Sequence, residues 1–243
     1  MKQVLAILGS TFDYASILST DSVGWQIALS QHSRNVVNRT MTTERGHVIR
    51  LCRDRLYFEY AFNDLDAQNP EAVAKAAVAA FDAQRTILEE TGTKAYETPA
   101  LSDEPCEVFA EFPCEELPEK SDQESLVMRL SAISDEAMAR GKNLVDCRIS
   151  ASSTHISKMF LTAHRDLRQS YVYSEGSIIP IAACEGKSAY THVSVAGREG
   201  PEIFSRLPDR LDEALEIVAD ILRADRVVPG EYDVITTPEV TGL

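Results

Sequence analysis

Val145-Asp-Cys-Arg-Ile149 places apolar side chains two residues apart with Asp146 and Arg148 between them, the period of a strand with one face buried. The strand signal persists to residue 205. Turn residues at Ser174-Glu175-Gly176, Glu185-Gly186-Lys187 and Gly197-Arg198-Glu199-Gly200-Pro201 divide the stretch, which predicts four or more antiparallel strands. Toward the C terminus, Leu211, Leu215, Val218 and Leu222 share one face of a helix starting near Pro208, and Tyr232-Asp233-Val234-Ile235 reads as a strand after it. Toward the N terminus, Leu126, Leu130, Ile133 and Ala137 mark another helix that stops at Gly141. Ser121-Asp-Gln-Glu124 before it has the capping-box pattern, with Ser121 predicted to accept the N–H of Glu124.

The segment 93–121 contains Pro99, Pro105, Pro113 and Pro118 and suits a connection, although residues 106–112 could form a short strand. Before it, Asn69-Pro70 starts a helix: Asn accepts an orphan backbone N–H and Pro needs no donor at the first position. Val73, Ala77, Phe81 and Leu88 lie on its inner face, and Gly92 caps it in the left-handed conformation. Between 14 and 60, Trp25–Leu29, Asn35–Val37, His47–Leu51 and Leu56–Tyr60 read as antiparallel strands, with turns at Glu44-Arg45-Gly46 and Arg53-Asp54-Arg55 and a short helix over 2–8 in front. The fold class is α+β: two domains of antiparallel sheet packed with helices, over 1–105 and 106–226, plus the first strand of a truncated third domain over 227–243.

With 243 residues, 44% of them hydrophobic and 26% charged, the chain can bury a core. It has neither a signal-peptide pattern nor a run of ~20 apolar residues, so the expectation is a cytoplasmic protein with no membrane partner. A net charge of -14 argues against direct nucleic-acid binding, which needs Lys and Arg to release phosphate counterions. Residues 89–124 carry 12 acidic and two basic side chains, so one segment holds most of that excess. The five cysteines are scattered without a CxxC pair, which supports neither a disulfide framework nor a zinc ribbon.

Catalytic motifs are absent: there is no HExxH, GxSxG, Walker A loop or GxGxxG. The five histidines, His32, His47, His155, His164 and His192, never sit at the spacing of two ligands on one helix or strand face. His155 and His164 could meet across a hairpin, but strand histidines with ordinary partners are the better reading. Cys147 alternates with Val145 and Ile149 and reads as core rather than nucleophile. Arg148, Arg165 and Arg168 are candidates to clamp an acidic group, but scattered strand arginines usually form a solvated face. Gly197-x-x-Gly200 reads as a turn.

Several stretches together resemble the TldD/PmbA family, described as modulators of DNA gyrase. They are Val145-Asp-Cys-Arg-Ile149, Met159-Phe-Leu161, Tyr171-Val-Tyr-Ser-Glu-Gly176, Ser194-Val-Ala-Gly-Arg-Glu-Gly200 and, most sharply, Pro229-Gly-Glu-Tyr-Asp-Val-Ile-Thr-Thr-Pro-Glu-Val-Thr-Gly-Leu243. The resemblance implies the N-terminal scaffold and chamber-forming part of a TldD-like zinc metallopeptidase that hydrolyses unfolded peptides. It also implies a homodimer, or a heterodimer with a PmbA/TldE-like paralogue. In that family a segment like 229–243 leads into a helix carrying His-Glu-x-x-x-His, whose histidines, with a downstream cysteine, hold the metal while the glutamate serves as base. Those residues would lie beyond Leu243, so no catalytic, cofactor-binding or metal residue is assigned to this chain, and the chain alone is expected to be inactive. The alternative is a non-catalytic PmbA/TldE-like partner or regulatory subunit that binds peptide or protein.

Overall fold

A computed structural model describes residues 1–37, 45–63, 69–94, 96–99, 101–236 and 241. Its centre is one nine-stranded sheet. The path β4 (Leu56–Phe62), β3 (Arg45–Arg53), β1 (Tyr14–Leu29), β6 (Leu144–Leu161), β7 (Arg165–Cys184), β5 (Cys106–Glu111) runs across it. β2 (Arg34–Val37) pairs with the end of β1, while β8 (Lys187–Tyr190) and β9 (Val193–Gly197) pair with β7. All neighbours are antiparallel except β5, which runs parallel to β7.

Among the described residues the expected numbers hold, four strands over 14–62 and four over 144–197, but several are longer than the turn signals predict. Trp25–Leu29 is the last third of a 16-residue β1. Ser174-Glu175-Gly176 is no turn but lies within the 20-residue β7, paired on one side with β6 and on the other with β9. Gly176 has a packing role instead: a Cβ there would come within 2.8 Å of the Phe204 ring. Arg45 and Gly46 belong to β3, paired with Asp21 and Thr20, while Glu44 lies outside the described residues. Asp54 and Arg55 do turn, with φ of 53° and 63°, as do Glu185 and Gly186. Residues 231–236 form no strand, and Ile235 is 98% exposed.

Four helices, α1 (Lys2–Gly9), α2 (Pro70–Thr91), α3 (Gln123–Arg140) and α4 (Leu211–Arg223), pack on the sheet. Asn69 caps α2 by accepting the Ala72 N–H at 3.1 Å, and Gly92 closes it at φ 62°. α3 begins one residue later than the capping-box reading. Asp122 is the cap and accepts the Ser125 N–H, because the Ser121 hydroxyl donates to the Pro118 carbonyl oxygen at 2.7 Å.

Two large cores form on this sheet, with a small third cluster of Ala182, Ala189 and Val218. In the first, Val4, Leu5 and Leu8 of α1 and Ala74, Ala77 and Phe81 of α2 close over Ile17, Ile49 and Leu161, with Phe12 edge-on to Phe81 at 4.9 Å. In the second, Leu126, Leu130, Ile133 and Ala137 of α3, Leu211 and Ala214 of α4, and Ile203, Phe204 and Leu207 cover Trp25, Ile27, Leu29, Ile149 and Ile178. β1 supplies residues to both, so the sheet runs unbroken beneath the two helical layers. Among the described residues no helix is long and apolar enough to cross a membrane.

Candidate functional site

Every second residue of β1 points to the helix-bearing face. Ala15 and Ile17 are buried in the first core, and Trp25, Ile27 and Leu29 in the second. Ser19, Asp21 and Val23 lie between, at about 13 Å from first to last for extended chain. The register carries this polar interval across the sheet. Ser19 is opposite His47 and Met159, Asp21 is opposite Arg45 and Ser157, and Val23 is opposite His155. Arg168 and Ser170 of β7 continue the first two rows. The result is a groove of about 700 Å³ floored by β1, β3, β6 and β7 and bordered by Phe109 and Glu111 of β5.

Most charged groups in and near the groove are already paired. Arg45 holds both carboxylate oxygens of Asp21, at 2.9 and 3.1 Å. Arg168 donates to Asp166 at 2.8 and 2.9 Å and lies 5.1 Å from the exposed Phe109 ring. Lys2 reaches the same carboxylate at 2.9 Å, and the Arg168 and Lys2 bonds hold Asp166 down at a pKa of about 2. His47 Nδ1 is 2.9 Å from Ser19 Oγ, and burial lowers its pKa below the usual imidazole value.

At the end of the groove nearest the second core, the short 3-10 helix Pro118–Lys120 lies beside the sheet. It is anchored by Trp25, whose indole N–H points at the Pro118 carbonyl oxygen (3.0 Å) and Ser121 Oγ (2.9 Å). This anchor sets Glu119 Oε1 2.9 Å from His155 Nδ1, while His155 Nε2 is 2.7 Å from Ser170 Oγ. Ser170 also lines a second cavity of about 490 Å³, enclosed by the 111–117 loop and Lys120.

The sequence signals place other residues apart. His164, in the turn between β6 and β7, bonds Asp103 at 3.0 Å and does not meet His155. Arg148 pairs with Asp146 and Arg165 with the Glu104 carbonyl oxygen, so the three arginines form no common clamp. Cys147 is fully buried, which pushes its thiol up to about 12, with the Asp146 charge adding to the shift. All five cysteines are free. Among the described residues no three His, Cys, Asp or Glu side chains converge as a metal site would require, so the residues present do not fit the zinc that the family resemblance implies.

The Glu119–His155–Ser170 set escaped the sequence reading because its members are 36 and 15 residues apart, and only strand register and the Trp25 anchor unite them. A signal for the groove did exist. Alternate β1 residues change from apolar to Ser19, Asp21 and back to Trp25 within one strand.

No protein-family model and no curated protein sequence matches the chain. Its fold does match solved structures. A protein named as a candidate modulator of DNA gyrase from Thermotoga maritima superposes with a TM-score of 0.69 at 14% identity, covering 94% of this chain and 49% of that one. A second so named, from Bacteroides thetaiotaomicron, gives 0.64 at 12%, covering 93% and 50%. TldE from Thermococcus kodakarensis gives 0.63 at 13%, covering 92% and 47%. The chain thus spans about half the length of each structure, and over nearly all of its own length it has the fold of the gyrase-modulator and TldE proteins.

Proposed function

We propose that this chain is the scaffold and peptide-holding part of a TldD-like zinc metallopeptidase acting on unfolded peptides. The observation that supports this most is the open groove on a sheet that shares the fold of the modulator and TldE structures. About 13 Å of uncovered strand accommodates the roughly 10 Å thickness of an extended chain with its side chains. Ser19, Ser157 and Gln169 offer hydrogen-bonding groups, and Met159 and Phe109 offer apolar contact, a mixture suited to backbone recognition with little side-chain selectivity. β4 and β5 lie at the ends of the strand path, where an added peptide strand could pair.

Hydrolysis is assigned to the whole protein, because the residues described here do not fit the metal. A dimer, either of identical chains or with a PmbA/TldE-like paralogue, would enclose the groove in a chamber. The alternative role, a non-catalytic partner that presents peptide, draws support from the likeness to TldE.

The test is fluorescence anisotropy of a labelled unstructured peptide with the 243-residue chain. Saturable binding is expected, weakened several-fold by Met159→Ser combined with Phe109→Ser. Binding that fails to saturate, or that ignores both substitutions, overturns the peptide role. Chelator-sensitive peptide cleavage by this chain supplied with zinc would overturn the assignment of hydrolysis to residues outside it.

A further inference from the structure

We propose that Ser170, His155 and Glu119 form an acyl-transfer site, at the end of the groove, that hydrolyses small neutral or cationic carboxylic esters. The case begins with which atoms can donate. A carboxylate oxygen accepts, so in the hydrogen bond at 2.9 Å between Glu119 Oε1 and His155 Nδ1 the imidazole is the donor. Nε2 is then left with its lone pair, and at 2.7 Å it accepts the Ser170 hydroxyl proton. The polarity is that of a nucleophile, a general base and an orienting carboxylate.

The three side chains are positioned by rigid elements. His155 and Ser170 stand on paired strands, in adjacent rows of the β6–β7 ladder. Glu119 is carried by the 3-10 helix that the buried Trp25 tethers through the Pro118 carbonyl oxygen. His155 and Ser170 both face the cavity of about 490 Å³, within the size range of small-molecule sites. Glu111, Glu115 and Glu116 line it against a single lysine, Lys120, which disfavours anionic substrates.

In the first half-reaction Ser170 Oγ attacks the ester carbonyl carbon and its proton passes to His155 Nε2. Lys120 is the cation available to offset the oxyanion charge. The bond to the alcohol oxygen then breaks, and His155 returns the proton to the departing alkoxide. Water attacks the acyl-serine, again with His155 taking and returning a proton, which releases the carboxylic acid and restores Ser170. The net reaction is ester plus water to acid plus alcohol. Glu119 is a positioning residue that holds the imidazole and stabilises its cation.

This site does not depend on peptide binding in the larger groove. The test treats the full 243-residue chain with a fluorophosphonate probe, maps the adduct by mass spectrometry, and follows p-nitrophenyl acetate hydrolysis in parallel. The expected result is an adduct on Ser170, absent in Ser170→Ala and slowed at least tenfold in His155→Gln. Glu119→Gln should lower kcat with KM little changed. Circular dichroism melting checks that each variant is folded. Should Ser170→Ala unfold, Ser170→Cys provides a second reading through iodoacetamide alkylation, which should slow when His155→Gln is added. The proposal is overturned if the folded wild-type chain gives no Ser170 adduct, or if His155→Gln labels at the wild-type rate.

Discussion

The indole N–H of Trp25 lies 3.0 Å from the carbonyl oxygen of Pro118, joining β1 to a segment 93 residues later. The ring itself is 1% exposed and packs against Phe204 at 5.9 Å between centroids. Trp25→Phe removes the indole donor, leaves the Pro118 oxygen bonded to Ser121 alone and opens space in the second core. The expected loss is about 2–3 kcal/mol of unfolding free energy in a urea titration. The tether on Glu119 loosens with it, so Ser170 labelling should slow in the same variant even where it remains folded.

Gly200 approaches the 111–117 loop so closely that a Cβ would overlap the backbone carbonyl oxygen of Glu116. Backbone cannot swing aside as a flexible side chain can. Gly200→Ala should cost about 1–3 kcal/mol. Gly9→Ala is the control, since a Cβ there meets nothing within 4 Å, and thermal melting should show it neutral or slightly stabilised.

Acid should weaken the contact between α1 and β7. Asp166 is held at about 2 by its bonds to Arg168 and Lys2, below the ordinary aspartate value near 3.9 that applies once the chain unfolds. A depressed carboxylate stabilises the fold above the unfolded value, and that contribution disappears as pH falls from about 4 to about 2. Asp166→Asn should lower Tm at pH 6 while flattening its decline between pH 4 and pH 2. A parallel acid limb in both proteins would refute this role for Asp166.

Thiol labelling should follow burial. Cys106 is exposed, whereas Cys52 and Cys147 are buried, and desolvation raises the Cys147 thiol to about 12. In native buffer at pH 8, iodoacetamide should modify Cys106 while sparing Cys147 until denaturant is added. Mass spectrometry of the peptides reads the order directly.

Much of the helical layer was legible in local chemistry. Asn69, Pro70 and Gly92 bound α2 as capping rules require, and Leu126, Leu130, Ile133 and Ala137 form the buried face of α3. Strand lengths were less legible. Glycine and serine mark turns in an isolated sequence, yet Ser174 and Gly176 serve the interior of β7. There the Ser174 hydroxyl bonds the Glu199 carbonyl oxygen, and the missing side chain at 176 makes room for Phe204. The strand expected at 232–235 has β-forming residues but no ladder partner among the described residues, and a strand exists only through its neighbour's hydrogen bonds.

By itself the sequence determined the α+β class, both ends of α2 and the buried status of Cys147, because capping and period act over a few residues, and its matching stretches carried the resemblance to the TldD/PmbA family. Tertiary structure alone decided that one sheet underlies both helical layers, that an open polar interval separates them, and that Glu119, His155 and Ser170 meet. Those facts depend on which residues of β1, β6 and β7 lie opposite one another. Register is set by pairing and by the packing of whole faces, which no local window of sequence contains.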